Sequence, residues 1–167
     1  MYAPTTCYDK EEGIHYVTLL KECAKRKDLE KGMSLHVDIT NKCLLRKNPY
    51  VGSSLINMYA KCGALSKAQE VLDELPFRNI VSWSALIAGY SRKGHGHEAL
   101  NCFERMQSEG LSPDEITLTC ILKACGSTQS LDKGKQIHEF IVTRLAWERY
   151  YFGQCPCGHV CQMWGTC

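Results

Sequence analysis

This sequence has no long apolar run, little net charge and few aromatic residues. Its 167 residues are 44% hydrophobic and 9% aromatic, and the formal net charge is +2. No run approaches the roughly 18 apolar residues of a membrane-spanning helix, so we expect no membrane partner. The apolar fraction is too high for a disordered chain, and the near-neutral charge favours no class of partner. The composition predicts one globular domain, in which any nucleic-acid surface depends on the local arrangement of side chains.

The eleven cysteines could indicate a disulfide framework, but their placement favours another interpretation. Seven are scattered through the body of the chain, mostly within helical patterns: Cys7, Cys23, Cys43, Cys62, Cys102, Cys120 and Cys125. The total is odd, and the N-terminal residues do not predict a secretory signal peptide. We therefore interpret these seven as small buried hydrophobic residues of a protein in a reducing compartment.

The chain is repetitive, with a period that changes along its length. At an offset of 31 residues, identical residues coincide: Leu55, Ile56, Tyr59 and Gly63 fall on Leu86, Ile87, Tyr90 and Gly94. At an offset of 102 residues, identical residues coincide: Leu20, Lys21, Cys23 and Leu29 fall on Leu122, Lys123, Cys125 and Leu131. Successive units are separated by 36, 31 and 35 residues, which together make 102. Two kinds of unit with different lengths therefore alternate.

Each unit has the pattern of two short helices. In the second unit the apolar stripe of the second helix is Leu65, Ala68, Leu72 and Leu75. Gly63 separates the two helices, Pro76 ends the second, and Ser66 with Gln69 predicts a capping box at its start. Helices this short cannot bury their stripes alone, so neighbouring pairs must stack. The sequence predicts an all-α fold, an α-solenoid of about four stacked helix-turn-helix repeats.

Two segments are typical of a known family: the run from Asn57 to Gly63, followed by Ala68, and the run from Val81 to Tyr90. They resemble the pentatricopeptide repeat family of land plants. The alternating lengths resemble its PLS subclass and differ from the uniform 34-residue period of tetratricopeptide repeats. The resemblance implies an array over 13–145, with a long unit at 13–48, a short one at 49–79, a standard one at 80–114 and a truncated long one at 115–145. Residues 1–12 would be an N-terminal extension, and 146–167 a cysteine-rich tail outside the repeats, which we expect to be unstructured.

The resemblance implies sequence-specific binding of single-stranded RNA, one base per unit, read by the fifth and the last residue of each unit. These positions are Ser53 with Asn79, Ser84 with Asp114, Val17 with Asn48, and Thr119 in the last unit. The family pattern implies adenine for the Ser–Asn pair and guanine for the Ser–Asp pair. The chemistry agrees, because a carboxylate only accepts and guanine offers N–H groups, whereas an amide can donate and accept, as adenine requires. Valine cannot bond a base edge, so we expect the first unit to be a spacer or a weak reader.

Further contacts follow from the same register. The second residue of each unit would sandwich the bases, and these are Tyr50, Val81 and Ile116. Three cations, Lys61, Arg92 and Lys93, could contact phosphate, although a solvated helix end explains them equally well. Asn79 and Asp114 also fit ordinary helix N-caps, a role that base reading does not exclude.

The sequence predicts no catalytic residue, cofactor or metal site. His36 and His138 align with core positions, so we expect packed, hydrogen-bonded side chains. In the tail, Cys155, Cys157, Cys161 and Cys167 could hold zinc, but their spacing is not that of a standard finger. The family's editing factors end in a deaminase-like domain, which requires an H-x-E motif that is missing here. We therefore expect a non-enzymatic protein.

The leading hypothesis is a short RNA-binding module that resembles the recognition arm of an organelle RNA-editing or RNA-processing factor, with other such proteins as possible partners. A helical scaffold for protein partners and a non-functional truncated fragment are the alternatives. The family implies a mitochondrion or a chloroplast. The first sixteen residues do not predict a transit peptide, because they contain no arginine and three acidic residues.

Overall fold

The computed structural model describes residues 7–128, 134–135, 137–139 and 142–143, and the three short stretches are helical. Residues 7–128 form eight helices: α1 (Cys7–Arg26), α2 (Leu29–Asn41), α3 (Leu44–Lys47), α4 (Pro49–Cys62), α5 (Leu65–Glu74), α6 (Ile80–Lys93), α7 (Gly96–Ser108) and α8 (Glu115–Thr128). Nothing within these described ranges is a strand. The predicted all-α class is therefore confirmed.

The helices are arranged as stacked pairs. The first helices, α1, α4, α6 and α8, pack side by side in chain order. Each second helix, α2, α5 or α7, packs on its own first helix and on the first helix of the next pair. Each pair thus buries its apolar stripe against its neighbours, as the predicted α-solenoid requires.

Glycine in the left-handed conformation forms the turn inside the second and third pairs. Gly63 has φ = 84° and Gly94 has φ = 79°, a region that disfavours side chains with a Cβ. The predicted break at Gly63 is confirmed. The predicted capping box is wrong, because α5 begins at Leu65 and Ser66 lies inside the helix. The glycine turn leads straight into α5, so the N-cap position falls on Ala64, which has no side-chain acceptor, and Ser66 is already the second residue of the helix.

The helix starts can be compared with the expected unit boundaries. α4, α6 and α8 begin at Pro49, Ile80 and Glu115, where the second, third and fourth units were expected to begin. α1 begins at Cys7, so part of the expected N-terminal extension is helical. The extra length of the first unit contains α3, whose Leu44 is only 1% exposed. The assignment of unit types stays a prediction, and the tail at 146–167 lies outside the described residues.

The expectations for cysteine and histidine are confirmed in part. Three described cysteines, Cys23, Cys102 and Cys125, are buried. Cys62 and Cys120 are half-buried, whereas Cys43 is exposed because it occupies a left-handed turn after α2.

The two aligned histidines differ in their environments. His36 is half-buried, and its Nδ1 lies 3.0 Å from the Tyr59 hydroxyl on α4. His138 is exposed, so the expectation of a core position is wrong there. The reason is that α4 of the following pair covers His36, and no following pair lies within the described part of the chain.

A polar network joins the second pair to the third. The Trp83 side chain is fully buried, and its Nε1 donates to Glu109 Oε2 at 2.9 Å. Arg78 donates to the other Glu109 oxygen at 2.7 Å and to the Leu72 carbonyl at 2.9 Å. Because Arg78 also satisfies a carbonyl at the end of α5, the network fixes the connection between α5 and α6.

Candidate nucleic-acid interface

A polar side chain caps the N-terminus of each of α4, α6 and α8. Asn48 Oδ1 accepts from the Tyr50 amide at 3.0 Å. Asn79 Oδ1 accepts from the Ser82 amide at 2.9 Å, and Asp114 Oδ1 accepts from the Thr117 amide at 2.8 Å. These bonds satisfy backbone donors that the helix cannot satisfy internally. The capping role that the sequence allowed for Asn79 and Asp114 is therefore confirmed.

The same caps contact the fifth residue of the preceding first helix. Ser53 Oγ donates to Asn79 Oδ1 at 3.1 Å, and Ser84 Oγ lies 3.2 Å from Asp114 Oδ1. We call these two the serine–cap pairs. Both serines are buried, at 5% and 8% exposure, and both caps are half-buried. Two expected pairs of residues thus meet, with the cap side chain as the more accessible member.

The capping bonds determine which atoms of the two caps remain available. A backbone N–H only donates, so the atom of Asn79 that faces the Ser82 amide must be the oxygen, and its amide nitrogen Nδ2 points away. No hydrogen bond to another described residue involves Asn79 Nδ2 or Asp114 Oδ2. The serine–cap pair of the second unit therefore presents a donor, and the serine–cap pair of the third unit presents an acceptor.

The other two positions at which base reading was expected, Val17 with Asn48 and Thr119, have different surroundings. Val17 is half-buried and has no polar side-chain atom. The Asn48 amide lies directly over Gly13, where an added Cβ would be only 2.2 Å from Nδ2. Thr119 is exposed, and its hydroxyl donates to the Glu115 carbonyl at 2.8 Å in its own helix. Neither position forms a serine–cap pair.

A row of exposed apolar side chains lies beside these caps. Tyr50 is 73% exposed, Val81 61% and Ile116 64%. A fourth member, Ile14 on α1, is 65% exposed and was not predicted from the sequence. The offset of 36 residues that relates the first two units carries Ile14 onto Tyr50 and could have found it. We call these four residues the apolar ladder.

A basic groove crosses the C-terminal ends of the first helices. Its volume is about 360 Å³, and its floor is formed by Ala24, Ala60 and Gly89. Four cationic side chains line it: Lys27, Lys61, Arg92 and Lys93. For three of them, Lys61, Arg92 and Lys93, the sequence left phosphate contact and a solvated helix end equally open. Lys27 was missed, because it lies in the turn after α1, in a left-handed conformation (φ = 56°) that no sequence pattern predicts.

The ladder and the groove share one face of the first helices. Tyr50 precedes Lys61, and Val81 precedes Arg92, by eleven residues, which is close to three helical turns. Two side chains at this spacing project from the same side of a helix, about 16 Å apart along the axis. The first helices therefore combine apolar contact at one end with positive charge at the other.

No cluster of three or more potential metal ligands occurs among the described residues, and the four tail cysteines lie outside them. Burial raises the pKa of the Cys120 thiol, which favours its unreactive protonated form. Among the described helices, none has the combination of length and hydropathy that a membrane-spanning segment requires.

Comparisons with known proteins identify related chains. A family model for the PPR repeat family matches residues 78–127, and one for the PPR repeat matches residues 53–80. A chloroplastic pentatricopeptide repeat-containing protein of Arabidopsis thaliana is 35% identical over 84% of this chain and 24% of its own length. A second Arabidopsis relative, also named chloroplastic, is 42% identical over 78% of this chain and 22% of its own length. A third, named mitochondrial, is 35% identical over 76% of this chain and 16% of its own length.

A solved structure shares the fold. The crystal structure of the pentatricopeptide repeat protein PPR10 from maize matches 78% of this chain and 19% of its own chain, with a TM-score of 0.65 and 22% identity. The chain thus spans at most about a quarter of each of these known proteins.

Proposed function

Because this chain belongs to the pentatricopeptide repeat family, we propose that it binds single-stranded RNA on the face formed by the first helices, with one base at each serine–cap pair. The observation that carries this proposal is that Asn79 and Asp114 each keep one polar atom available beside a buried serine. Side chains at a well-defined, partly buried position can discriminate between bases, since a wrong base leaves them unpaired.

The available atoms favour different bases at the two pairs. Asn79 Nδ2 is a donor and suits the N1 acceptor of adenine, whereas Asp114 Oδ2 is an acceptor and suits the N1–H of guanine. The small side chains of Ser53 and Ser84 leave room for a purine. We therefore infer adenine at the second unit and guanine at the third.

The apolar ladder and the basic groove supply the contacts that do not depend on sequence. A base placed at a serine–cap pair would lie between successive members of the ladder, such as Tyr50 and Val81. The backbone of the RNA would run along the groove, where four cations neutralise phosphates. We propose no metal, cofactor or reaction step for this region.

The wider biological role is proposed from the relatives alone. Several of them are named chloroplastic or mitochondrial, so we propose that a protein containing this chain works in an organelle. There it would select an RNA site, and other proteins would carry out editing or processing. Three or four units contact too few bases to specify one site in a transcriptome.

A titration with short oligonucleotides tests the proposal. The full chain would be added to fluorescent oligouridine that carries adjacent adenine and guanine, in either order, and to plain oligouridine. We expect tighter binding to one purine-containing order, with an affinity that falls steeply with salt. Equal affinity for all sequences would contradict base reading. Absence of binding at low salt would contradict RNA binding altogether and favour the protein scaffold.

A further inference from the structure

Thr117 lies behind the serine–cap pair of the third unit and contacts both of its members. It is the third residue of α8, and its side chain is completely buried. Its hydroxyl lies 2.5 Å from Asp114 Oδ1 and 2.7 Å from Ser84 Oγ. Its backbone amide donates to the same Asp114 oxygen at 2.8 Å. One buried residue therefore holds the carboxylate through two donors.

The direction of the hydrogen bonds follows from the donors available. A carboxylate only accepts, so the single hydroxyl hydrogen of Thr117 is directed to Asp114 Oδ1. Thr117 can then only accept from Ser84, whose own hydrogen also has the Ile80 carbonyl at 2.7 Å and, at a longer distance of 3.2 Å, Asp114 Oδ1 as acceptors. Every hydrogen in this cluster is committed within the protein, and Oδ1 is saturated. The orientation of the carboxylate is fixed, and Oδ2 is its one available acceptor.

The equivalent residues of the other units do not act in this way. Ser82, the third residue of α6, uses its hydroxyl for the backbone of Asn79, at 2.7 Å from the carbonyl oxygen and 3.0 Å from the nitrogen. Val51, the third residue of α4, has no hydroxyl. Of the caps Asn48, Asn79 and Asp114, only Asp114 is therefore held by both the amide and the hydroxyl of the third helix residue.

We propose that Thr117 is a positioning residue that determines base preference at the third unit, by fixing the Asp114 carboxylate so that Oδ2 meets a donor on guanine. The proposal rests on the RNA-binding function proposed above. Without the hydroxyl, Asp114 keeps only the backbone amide and a longer bond from Ser84. The carboxylate can then rotate, and the acceptor is no longer held in one place.

The test compares two substitutions by the ratio of affinities for guanine and adenine at the third position. Thr117→Val keeps the branched shape but removes the donor, and we expect its guanine preference to fall about tenfold. Thr117→Ser keeps the hydroxyl and should retain the preference. Ser82→Ala is the matched control, because the Asn79 oxygen is held by the Ser82 backbone amide, and it should leave the adenine preference of the second unit unchanged.

The ratio of the affinities for guanine and adenine distinguishes a loss of positioning from a general destabilisation of the protein. A merely destabilised protein loses affinity for guanine and adenine alike, and thermal unfolding followed by circular dichroism identifies such a variant. If Thr117→Val unfolds, Thr117→Cys, which has a weaker donor, should show an intermediate preference. An unchanged guanine preference in folded Thr117→Val or Thr117→Cys overturns the role of Thr117 but leaves the proposed function intact. A wild-type chain that binds RNA without base preference, or not at all, overturns both.

Discussion

Ser84 and Asp114 are thirty residues apart in the chain, yet Ser84 Oγ lies 3.2 Å from Asp114 Oδ1. The contact exists because α8 packs beside α6, with its N-terminal cap against the first turns of α6. The same relationship joins Ser53 to Asn79 one pair earlier. Packing of the next first helix thus brings the last residue of a repeat onto the fifth residue of the same repeat and forms a two-residue site at these two boundaries.

Replacing Asp114 with Asn should change the base preferred by the third unit. In Asp114→Asn the oxygen stays on the Thr117 amide as the cap, so the new NH₂ group takes the place of Oδ2. The acceptor becomes a donor, and we expect the preference to move from guanine toward adenine by about 1–3 kcal/mol. Fluorescence anisotropy with the two purine oligonucleotides measures the change.

Glu115→Gln is the charge-matched control for this substitution. Glu115 is the next residue and is exposed, so its replacement removes the same charge from the same helix end without touching the serine–cap pair. This substitution should change the affinities for the adenine and guanine oligonucleotides by the same factor. A guanine preference that survives in Asp114→Asn would show that the carboxylate does not read the base.

The basic groove should control the salt dependence of RNA binding. Lys61→Gln and Arg92→Gln should each reduce the slope of log affinity against log salt by about 0.7, the value for one phosphate contact on a single strand. Base preference should not change. The measurement is a set of titrations at increasing salt. Lys31→Gln on α2 is the control, since this exposed lysine does not line the groove, and its slope should equal that of the wild type.

The sequence predicted those features that follow from periodicity. Helix pairs, the break at Gly63 and the stacking of pairs all result from apolar stripes and from the left-handed preference of glycine, which are local or strictly repeated. The meeting of Ser53 with Asn79 agrees with the position assigned to them in the repeat. Whether the pair reads a base stays a prediction.

Other features depend on atoms that no repeat pattern specifies. The orientation of the Asn79 amide follows from the Ser82 amide that it caps, and Lys27 reaches the groove from a strained turn. Thr117 was missed because threonine early in a helix has many ordinary explanations. Ser66 was assigned the N-cap position of α5, which the glycine turn places two residues earlier, at Ala64.

Two glycine substitutions should change stability in opposite directions. Neither Gly94 nor Gly126 has any atom within 4 Å of a new Cβ, so packing plays no part in either case. Gly94 has φ = 79°, and Gly94→Ala should lower the free energy of unfolding by about 1–2 kcal/mol. Gly126 lies within α8, where Gly126→Ala should raise the free energy of unfolding by up to about 1 kcal/mol. Urea denaturation measures both, and equal effects would contradict the assigned backbone conformations.

Acidification should destabilise the chain through His36. Burial lowers the pKa of this imidazole below its ordinary value of 6.5. Between the folded and the unfolded pKa, the unfolded chain binds more protons, so the free energy of unfolding rises with pH in that window. The contribution of neutral His36 is fully present above pH 6.5 and is lost as the pH falls through the folded pKa. Urea titrations across this range should show a steeper loss for the wild type than for His36→Gln.

Tyr59→Phe distinguishes burial from hydrogen bonding as the cause of this pH dependence. The Tyr59 hydroxyl lies 3.0 Å from His36 Nδ1, and the two rings are in edge contact with centroids 5.7 Å apart. Phenylalanine removes the hydroxyl but keeps the ring that covers the imidazole. If burial lowers the pKa, Tyr59→Phe should have a lower free energy of unfolding than the wild type at every pH. On acidification it should still lose more of that free energy than a matched Tyr59→Phe, His36→Gln double variant, and this difference is the quantity to follow. If that difference disappears, the hydroxyl rather than burial disfavours the imidazolium, and the pH dependence must be assigned to the Tyr59 contact.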